Sequence, residues 1–150
     1  MEEIAEVWAI IRKLLESQKL AVLSTQGKEQ PYSNLVAFGV TPDLQYLIFA
    51  TTRATRKYEN LSKHPPVSIL IDNRTNETAD FAEAAAVTVL GRASEVKGDE
   101  RSQLLKTYLN RHPYLESFAT SPTCALFAVK VERYIMVTRF QDVREVVPGP

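Results

Sequence analysis

Apolar side chains recur along this chain in two periods, one typical of helices and one typical of strands. Near the amino terminus they recur every three or four residues, which is the spacing of one buried helical face. Farther along, short apolar runs are separated by turn-forming residues, and the run at 31–40 alternates between two faces. The first helical stripe consists of Ile4, Val7, Trp8, Ile11, Leu14 and Leu15.

The later runs and their turns predict a series of strands with two further helices. Gly27 and Pro42 lie in short turns, so the first three strands form an antiparallel meander. Gly91, inside the fifth strand, indicates a bulge or the close approach of another group. The predicted strands are 19–25, 31–40, 45–50, 67–72, 84–96, 125–137 and 143–147, with helices at 55–63 and 100–110, a loop at 73–80 and a turn or short helix at 113–118.

This element order predicts the fold class. Six or seven antiparallel strands with flanking helices fit a small closed or split β-barrel better than a parallel sheet. A chain of 150 residues suits one domain with a real core, and we see no linker or internal repeat. We therefore predict a single mainly β (α+β) domain over residues 1–150.

Composition excludes several kinds of partner. The chain is 45% apolar and 24% charged with zero formal net charge, so its overall charge recruits neither nucleic acid nor an anionic membrane. Cys124 is the single cysteine, which excludes an intramolecular disulfide and argues against a cysteine-based zinc site. The acidic amino terminus is unlike a secretion signal, and no apolar run reaches the roughly 18 residues that span a bilayer. We predict a cytoplasmic protein.

The most distinctive chemistry follows the third predicted strand, in residues 51–57, which we call the basic loop. A phosphate dianion needs several convergent donors together with positive charge, and this loop contains both. Thr55 is placed to N-cap the next helix, which would add backbone N–H groups and the positive end of the helix dipole. A solvated basic loop is the alternative interpretation. The donors are Thr51, Thr52, Arg53, Thr55, Arg56 and Lys57.

Several catalytic motifs do not occur in the sequence. It contains neither a glycine-rich phosphate loop nor a Gly-x-Ser-x-Gly elbow, and no spacing indicates a metal site. His64 and His112 each precede a proline at the end of a predicted helix, where the helix dipole favours a cation. We interpret both as helix-terminal residues rather than catalytic bases. With no evident base, nucleophile or metal, the chemistry would belong to a bound cofactor.

Three motifs in the middle of the chain occur in a specific order. They are the strand Pro-Tyr-Ser-Asn-Leu-Val, the loop Thr-Arg-Ala-Thr-Arg-Lys and the segment Asn-Leu-Ser-Lys-His-Pro-Pro-Val-Ser-Ile. The spacing of Thr51, Thr55 and Lys57 is the most specific part. Over residues 20–96 this order resembles the pyridoxamine 5′-phosphate oxidase-like family of FMN-binding split barrels. The resemblance implies a six-to-seven-stranded antiparallel split β-barrel with flanking helices.

The resemblance also implies a cofactor and a set of binding residues. The basic loop would hold the FMN phosphate, and the second strand would lie along the isoalloxazine ring. The family further implies a homodimer with shared cofactor sites, to which the partner would contribute the regions 91–92 and 139–140. The implied cofactor-binding residues are Tyr32, Ser33, Asn34, Leu35, Val36, Thr51, Thr52, Arg53, Thr55, Arg56 and Lys57.

One departure from the family affects the expected substrate. The true oxidases carry an Arg-x-His signature for the substrate phosphate, whereas this chain reads Arg-Phe-Gln-Asp-Val-Arg-Glu from Arg139. The leading hypothesis is therefore an FMN-dependent oxidoreductase of unknown small-molecule substrate. The alternatives are a non-catalytic flavin-binding electron carrier or redox sensor, and a relative that binds haem or a deazaflavin.

Overall fold

The computed structural model describes residues 2–149, and its strands form one antiparallel sheet that closes on itself. The strands are β1 (Leu20–Gln26), β2 (Pro31–Val40), β3 (Tyr46–Thr52), β4 (Pro66–Asp72), β5 (Ala85–Glu95), β6 (Cys124–Thr138) and β7 (Asp142–Val146). Their order is β3-β2-β1-β4-β5-β6-β7, and a further pairing of β3 with β6 closes the first six into a barrel. β7 is an additional strand along β6.

Helices flank the barrel and fill its connections. They are α1 (Glu2–Ser17), α2 (Arg56–Lys63), α3 (Asp80–Glu83), α4 (Gly98–Arg111) and α5 (Glu116–Ala119), with a 3₁₀ turn at Pro113–Leu115. The predicted antiparallel split barrel with flanking helices is thus confirmed. No helix within residues 2–149 has the length and apolar character needed to cross a bilayer.

One helix falls partly in a segment that we predicted as a loop. The carboxylate of Asp80 accepts hydrogen bonds from the backbone N–H groups of Thr75 and Asn76, at distances of 2.7 to 3.0 Å. These bonds fold the polar segment back onto the start of α3. The short helix depends on this side-chain contact, which hydrophobic periodicity does not report.

The interior of the barrel holds the principal apolar core, which α1 covers on one side. Trp8 of α1 meets the ring of Tyr134 edge to face, with centroids 5.6 Å apart. Phe49 and Phe127 stack across the β3–β6 pairing with centroids 5.4 Å apart. Tyr134 is fully buried, and its hydroxyl donates to the Leu44 carbonyl over 2.6 Å, which satisfies the polar end of a core side chain.

The barrel is split where β2 and β3 separate. The two strands pair over three positions, from Phe38 opposite Phe49 to Val40 opposite Leu47. Beyond that point β3 continues along β6, whereas the first half of β2 pairs with β1 alone. The hydroxyl of Tyr108 in α4 donates to the Ala37 carbonyl, so α4 covers the near end of the split. The far end stays open at the start of β2.

Gly91 confirms the predicted bulge and close approach. The register between β5 and β6 shifts between Leu90 and Gly91. A Cβ atom at Gly91 would collide with the Lys130 carbonyl and would lie 2.8 Å from Cγ1 of Val129. The position therefore requires glycine because the backbone of β6 occupies the space of a side chain.

The carboxyl end of α4 is fixed to α1 and β2 by Arg111 and His112. The Arg111 guanidinium donates to the carbonyls of Leu15 and Gln18 at the end of α1 and lies over the Phe38 ring, 4.7 Å from its centroid. His112 is completely buried, with Nε2 2.7 Å from the Phe38 carbonyl. Its Nδ1 has no hydrogen-bond partner within residues 2–149.

His112 is the C-cap residue of α4 and so lies at the helix end as predicted, but its surroundings do not favour the cationic form. Burial lowers its pKa, and the nearby charges of Arg111 and Lys19 lower it further, although the bond to the Phe38 carbonyl acts in the opposite direction. Because a carbonyl oxygen only accepts, Nε2 carries the proton in this contact. Desolvation is the largest cause of the lowered pKa.

We expect His112 to make folding stability sensitive to mild acid. Its folded-state pKa is lowered, so the unfolded chain takes up a proton that the folded chain resists, and stability falls as the pH drops below about 6.5. His112→Gln retains a donor for the Phe38 carbonyl but cannot titrate. Urea unfolding at about pH 7.5 and about pH 5.5 should show a smaller loss of stability in the variant than in the wild type. Equal losses would assign the acid sensitivity to other groups.

Candidate functional site

The basic loop joins the end of β3 to the start of α2 and is organised by two hydroxyls. Thr55 caps α2 as predicted, because its Oγ1 accepts the backbone N–H of Tyr58 over 3.1 Å. The same Oγ1 lies 3.0 Å from Oγ1 of the buried Thr51 and donates to the Thr52 carbonyl over 3.0 Å. The loop therefore presents a preformed hydroxyl pair at the amino terminus of an eight-residue helix.

Lys57 lies in the first turn of α2 and is partly buried. Burial lowers the pKa of its ammonium group, and within residues 2–149 no carboxylate lies within 4 Å of its Nζ. A desolvated cation without a counterion is unfavourable unless an anion completes its surroundings. Lys57 is therefore a partly desolvated cation on the helix that Thr55 caps, with no carboxylate partner among the described residues.

Arg53 is in a different environment, although it belongs to the same loop. Its Nη2 lies 2.7 Å from Oε2 of Glu95, and its Nη1 donates to the Pro122 carbonyl over 2.9 Å. Glu95 Oε1 also accepts the hydroxyl of Tyr58 over 2.9 Å. Burial alone would raise the pKa of Glu95, but the bonds from Arg53 and Tyr58 outweigh it and the pKa is lowered. Arg53 is therefore neutralised by an ionised carboxylate.

Arg56 connects the basic loop to the start of β2. Its guanidinium lies over the Tyr32 ring, 5.3 Å from the centroid, which is a cation–π arrangement. A cleft of about 250 Å³ lies between α2 and the β1–β2 hairpin, and both side chains line it. The structure thus brings the two predicted halves of the site into contact.

The open edge of β2 carries the remaining predicted residues. Phe38 donates its backbone N–H toward β1, at Lys19, and in an antiparallel pair the backbone direction alternates from residue to residue. The N–H and C=O groups of Ser33 and Leu35 consequently point away from β1, into the split. Oδ1 of Asn34 is buried and has no hydrogen-bond partner within residues 2–149. This strand segment offers unpaired donors and acceptors to a ligand.

The other predicted cofactor-binding residues lie in the core, on the outer face of the sheet or in a strand ladder. Val36 is buried in the barrel core, and Leu35 is 63% exposed on the outer face of the sheet. Thr52 pairs with Cys124 across the β3–β6 ladder, and Cys124 is a buried free thiol.

Sequence reasoning missed three residues that hold the site together. Glu95 and Tyr58 fix Arg53, as described above. Asn60 donates its amide to Thr25 Oγ1 over 3.0 Å and so fastens α2 to β1. The Asn-Leu pair after the loop was a signal for Asn60, whereas nothing in the sequence connects Glu95 with a loop 42 positions earlier.

Neither histidine is arranged as a metal ligand or as a base for this site. His112 is committed to the Phe38 carbonyl, and His64 is the C-cap residue of α2. In the part of the chain that the structure describes, no group of three His, Cys, Asp or Glu side chains is placed to hold a metal ion.

Solved structures similar to this chain share its fold at low sequence identity. A heme binding protein from Mycobacterium smegmatis has a TM-score of 0.81 and 20% identity, covering 91% of this chain and 55% of that one. The heme storage protein HutZ from Vibrio cholerae has a TM-score of 0.71 and 17% identity, covering 94% of each chain. A FAD-binding protein from Mesorhizobium loti has a TM-score of 0.69 and 16% identity, covering 86% of this chain and 90% of that one.

These matches establish the fold, and the chain spans about half the length of the M. smegmatis protein. A sequence search among curated proteins found no match. The family model described as pyridoxamine 5′-phosphate oxidase matches residues 8–138, which include every strand of the closed barrel and the whole of the basic loop. The chain therefore belongs to the pyridoxamine 5′-phosphate oxidase family.

Proposed function

We propose that this protein binds FMN at the junction of β2 and the basic loop and acts as an FMN-dependent oxidoreductase on a small molecule. The observation that carries the proposal is Lys57, a partly buried ammonium with no carboxylate within 4 Å among residues 2–149, on the helix that begins at the Thr51–Thr55 hydroxyl pair. Charge-assisted bonds from such groups are the strongest that a phosphate receives from protein side chains. The family and a FAD-binding neighbour of the same fold add support for a flavin.

The residues present fit the two ends of FMN. The phosphate would be held by Lys57, Arg56, the first N–H groups of α2 and the two threonine hydroxyls, whose protons would turn from their present partners to the phosphate. The ring would lie along β2, where Ser33 and Leu35 offer backbone groups and Asn34 offers a buried oxygen without a partner. Bound FMN supplies hydride or electron transfer, so the chain itself needs to bind, orient and shield it.

Haem is the second candidate, because two structures with this fold are heme proteins by name. Haem iron in proteins takes an axial ligand such as histidine. His112 is fully buried and bonded to a carbonyl, which leaves His64 of this chain. The basic loop with its preformed hydroxyl pair is better suited to a phosphate, and we therefore favour FMN. A non-catalytic electron carrier or redox sensor would use the same flavin site.

We also propose that the protein is a homodimer and works in the cytoplasm, where its single buried thiol stays reduced. A row of outward-facing side chains crosses five adjacent strands of the barrel, and Leu35 and Leu70 in it are 63% and 37% exposed. An apolar sheet face of this kind is typical of a subunit interface. The cross-strand neighbours in the row are Leu35, Val22, Leu70, Thr88 and Ile135.

In such a dimer the partner's β6–β7 turn would reach the cofactor. Arg139 and Phe140 form this turn with positive φ angles of 51° and 66°. Phe140 is 69% exposed and contacts the ring of Phe81, with centroids 5.0 Å apart. Two adjacent exposed rings and a cation are suitable to cover a planar ligand.

The flavin proposal is tested by titration of the ligand-free protein with FMN. We expect FMN to stay with the protein on gel filtration, with absorption bands shifted from those of free FMN, and to be released on denaturation. Lys57→Ala should raise the Kd for FMN by about 10- to 100-fold, because it removes a charge-assisted bond worth about 1.5–3 kcal/mol.

The matched control is Lys63→Ala on the same helix, since Lys63 is exposed and paired with Glu59 over 3.2 Å. This control should bind FMN like the wild type. A Soret band after titration with haem, together with no binding of FMN, would replace the flavin proposal with the haem alternative.

The rate at which a reductant reduces the FMN-loaded protein distinguishes an enzyme from an electron carrier. An oxidoreductase should lose its oxidised-flavin absorption when a reductant such as a reduced nicotinamide is added, at a rate that saturates with reductant concentration. Stopped-flow absorbance measures this rate, and free FMN at the same concentration is the control. A rate no faster than that of free FMN across a panel of small reductants would favour the carrier.

The dimer is tested by placing a charge in the apolar row. Leu70→Asp should convert a dimer into a folded monomer, because a buried unpaired carboxylate is costly at an interface. Sedimentation velocity gives the mass, and circular dichroism checks the fold. Ile4→Asp, at an exposed position on α1, is the control and should stay dimeric. A wild-type monomer at micromolar concentration would overturn the dimer.

A further inference from the structure

Glu95 contacts the basic loop and the helix that follows it at the same time. Its Oε2 pairs with Arg53 of the loop and its Oε1 accepts from Tyr58 of α2, at 2.7 and 2.9 Å. The carboxylate lies at the end of β5, opposite Phe127 of β6, and its side chain is 16% exposed. One carboxylate thus links the loop, the first turn of α2 and the barrel wall.

The other contacts of Arg53 also hold it against the protein. Its Nη1 donates to the carbonyls of Pro122 and Cys124, and its backbone N–H donates to the Thr123 carbonyl over 3.0 Å. These partners lie in the turn that leads into β6 and at the first residue of β6. None belongs to the Thr51–Thr55 hydroxyl pair.

This arrangement changes the charge that the basic loop offers to a ligand. The loop carries three cations, and the Glu95 carboxylate cancels one of them by pairing with Arg53. Arg56 and Lys57 have no carboxylate within 4 Å in the described residues 2–149. Two cations match the charge of a phosphate monoester dianion.

We propose that Glu95 is a positioning residue for the cofactor site. It holds Arg53 against the barrel wall and Tyr58 against β5, so that the loop meets the phosphate with Lys57 and Arg56 and without Arg53. This inference rests on the proposed function, and it differs from the simplest expectation, in which every cation of the loop binds the phosphate directly. It assigns Arg53 to the support of the site.

The test is a double-mutant cycle read with two ligands. Glu95→Gln, Arg53→Met and the double variant are titrated with FMN and with riboflavin, which lacks the phosphate. Glutamine keeps neutral hydrogen bonds to Arg53 and Tyr58 but loses their charge assistance, so the loop must be ordered when the ligand binds. We expect Glu95→Gln to weaken FMN binding about fivefold while the Kd for riboflavin changes less than about twofold.

The cycle distinguishes support from direct binding. If Arg53 and Glu95 act as one unit, the two single variants lose similar affinity and the double variant loses no more than either. Tighter FMN binding by Glu95→Gln would overturn the proposal, because it would mean that the carboxylate merely competes with the ligand for Arg53. A far larger loss in Arg53→Met than in Glu95→Gln would overturn it as well.

A second measurement does not depend on any ligand. Amide hydrogen exchange of residues 53–58 should be faster in Glu95→Gln than in the wild type. Glu16→Gln, which alters an Arg–Glu pair on α1, is the control and should leave these amides unchanged. Unchanged exchange in Glu95→Gln would overturn the positioning role. If the wild type binds neither flavin, the proposed function fails, while this comparison still decides whether Glu95 orders the loop.

Discussion

The site depends on the fact that β3 pairs with two different strands along its length. Its first half pairs with β2 and β6, and its second half pairs with β6 alone. In the described part of the chain, the first half of β2 therefore has no strand on its β3 side, and its backbone groups on that edge still need partners. That edge and the loop that ends β3 therefore face the same split. The pairing of β3 with β6 that closes the barrel therefore also opens the split that holds the candidate site.

Two cations of the basic loop illustrate how surroundings decide the role of a charge. Arg53 has a carboxylate and three carbonyl partners, so its charge stabilises the protein itself. Lys57 is partly desolvated and lacks a carboxylate within 4 Å among residues 2–149. A binding site commonly keeps such an unfavourable group because a ligand completes it. The two residues are four positions apart, yet their surroundings differ.

Most of the fold was predictable from the sequence because its signals are local. Three such signals are the helical stripe of α1, the alternation in β2 and the N-cap at Thr55. The residues that make up each signal are only a few positions apart in the sequence. The spacing of Thr51, Thr55 and Lys57, which carries the family resemblance, was readable in the same way.

Features that depend on distant residues were not predictable. The pairing of Arg53 with Glu95 joins positions 42 apart, and the burial of His112 depends on a carbonyl 74 positions earlier. In both cases one contact between distant residues, absent from any local pattern, decides the surroundings of the side chain. The short helix α3 was missed for a different reason. The Asp80 carboxylate bonds to Thr75 and Asn76, which are only five and four positions away, but this polar contact leaves no apolar spacing in the sequence.

The same distances have a consequence for assembly during synthesis. The basic loop leaves the ribosome early, but its carbonyl contact at Cys124 lies 71 positions later and its carboxylate contact lies 42 positions later. Long-range pairings of this kind form late because bringing distant segments together costs chain entropy. The nascent chain therefore cannot complete the contacts of Arg53 until the start of β6 has been made. A molecule that recognises only the finished pocket would favour the last step of folding by mass action.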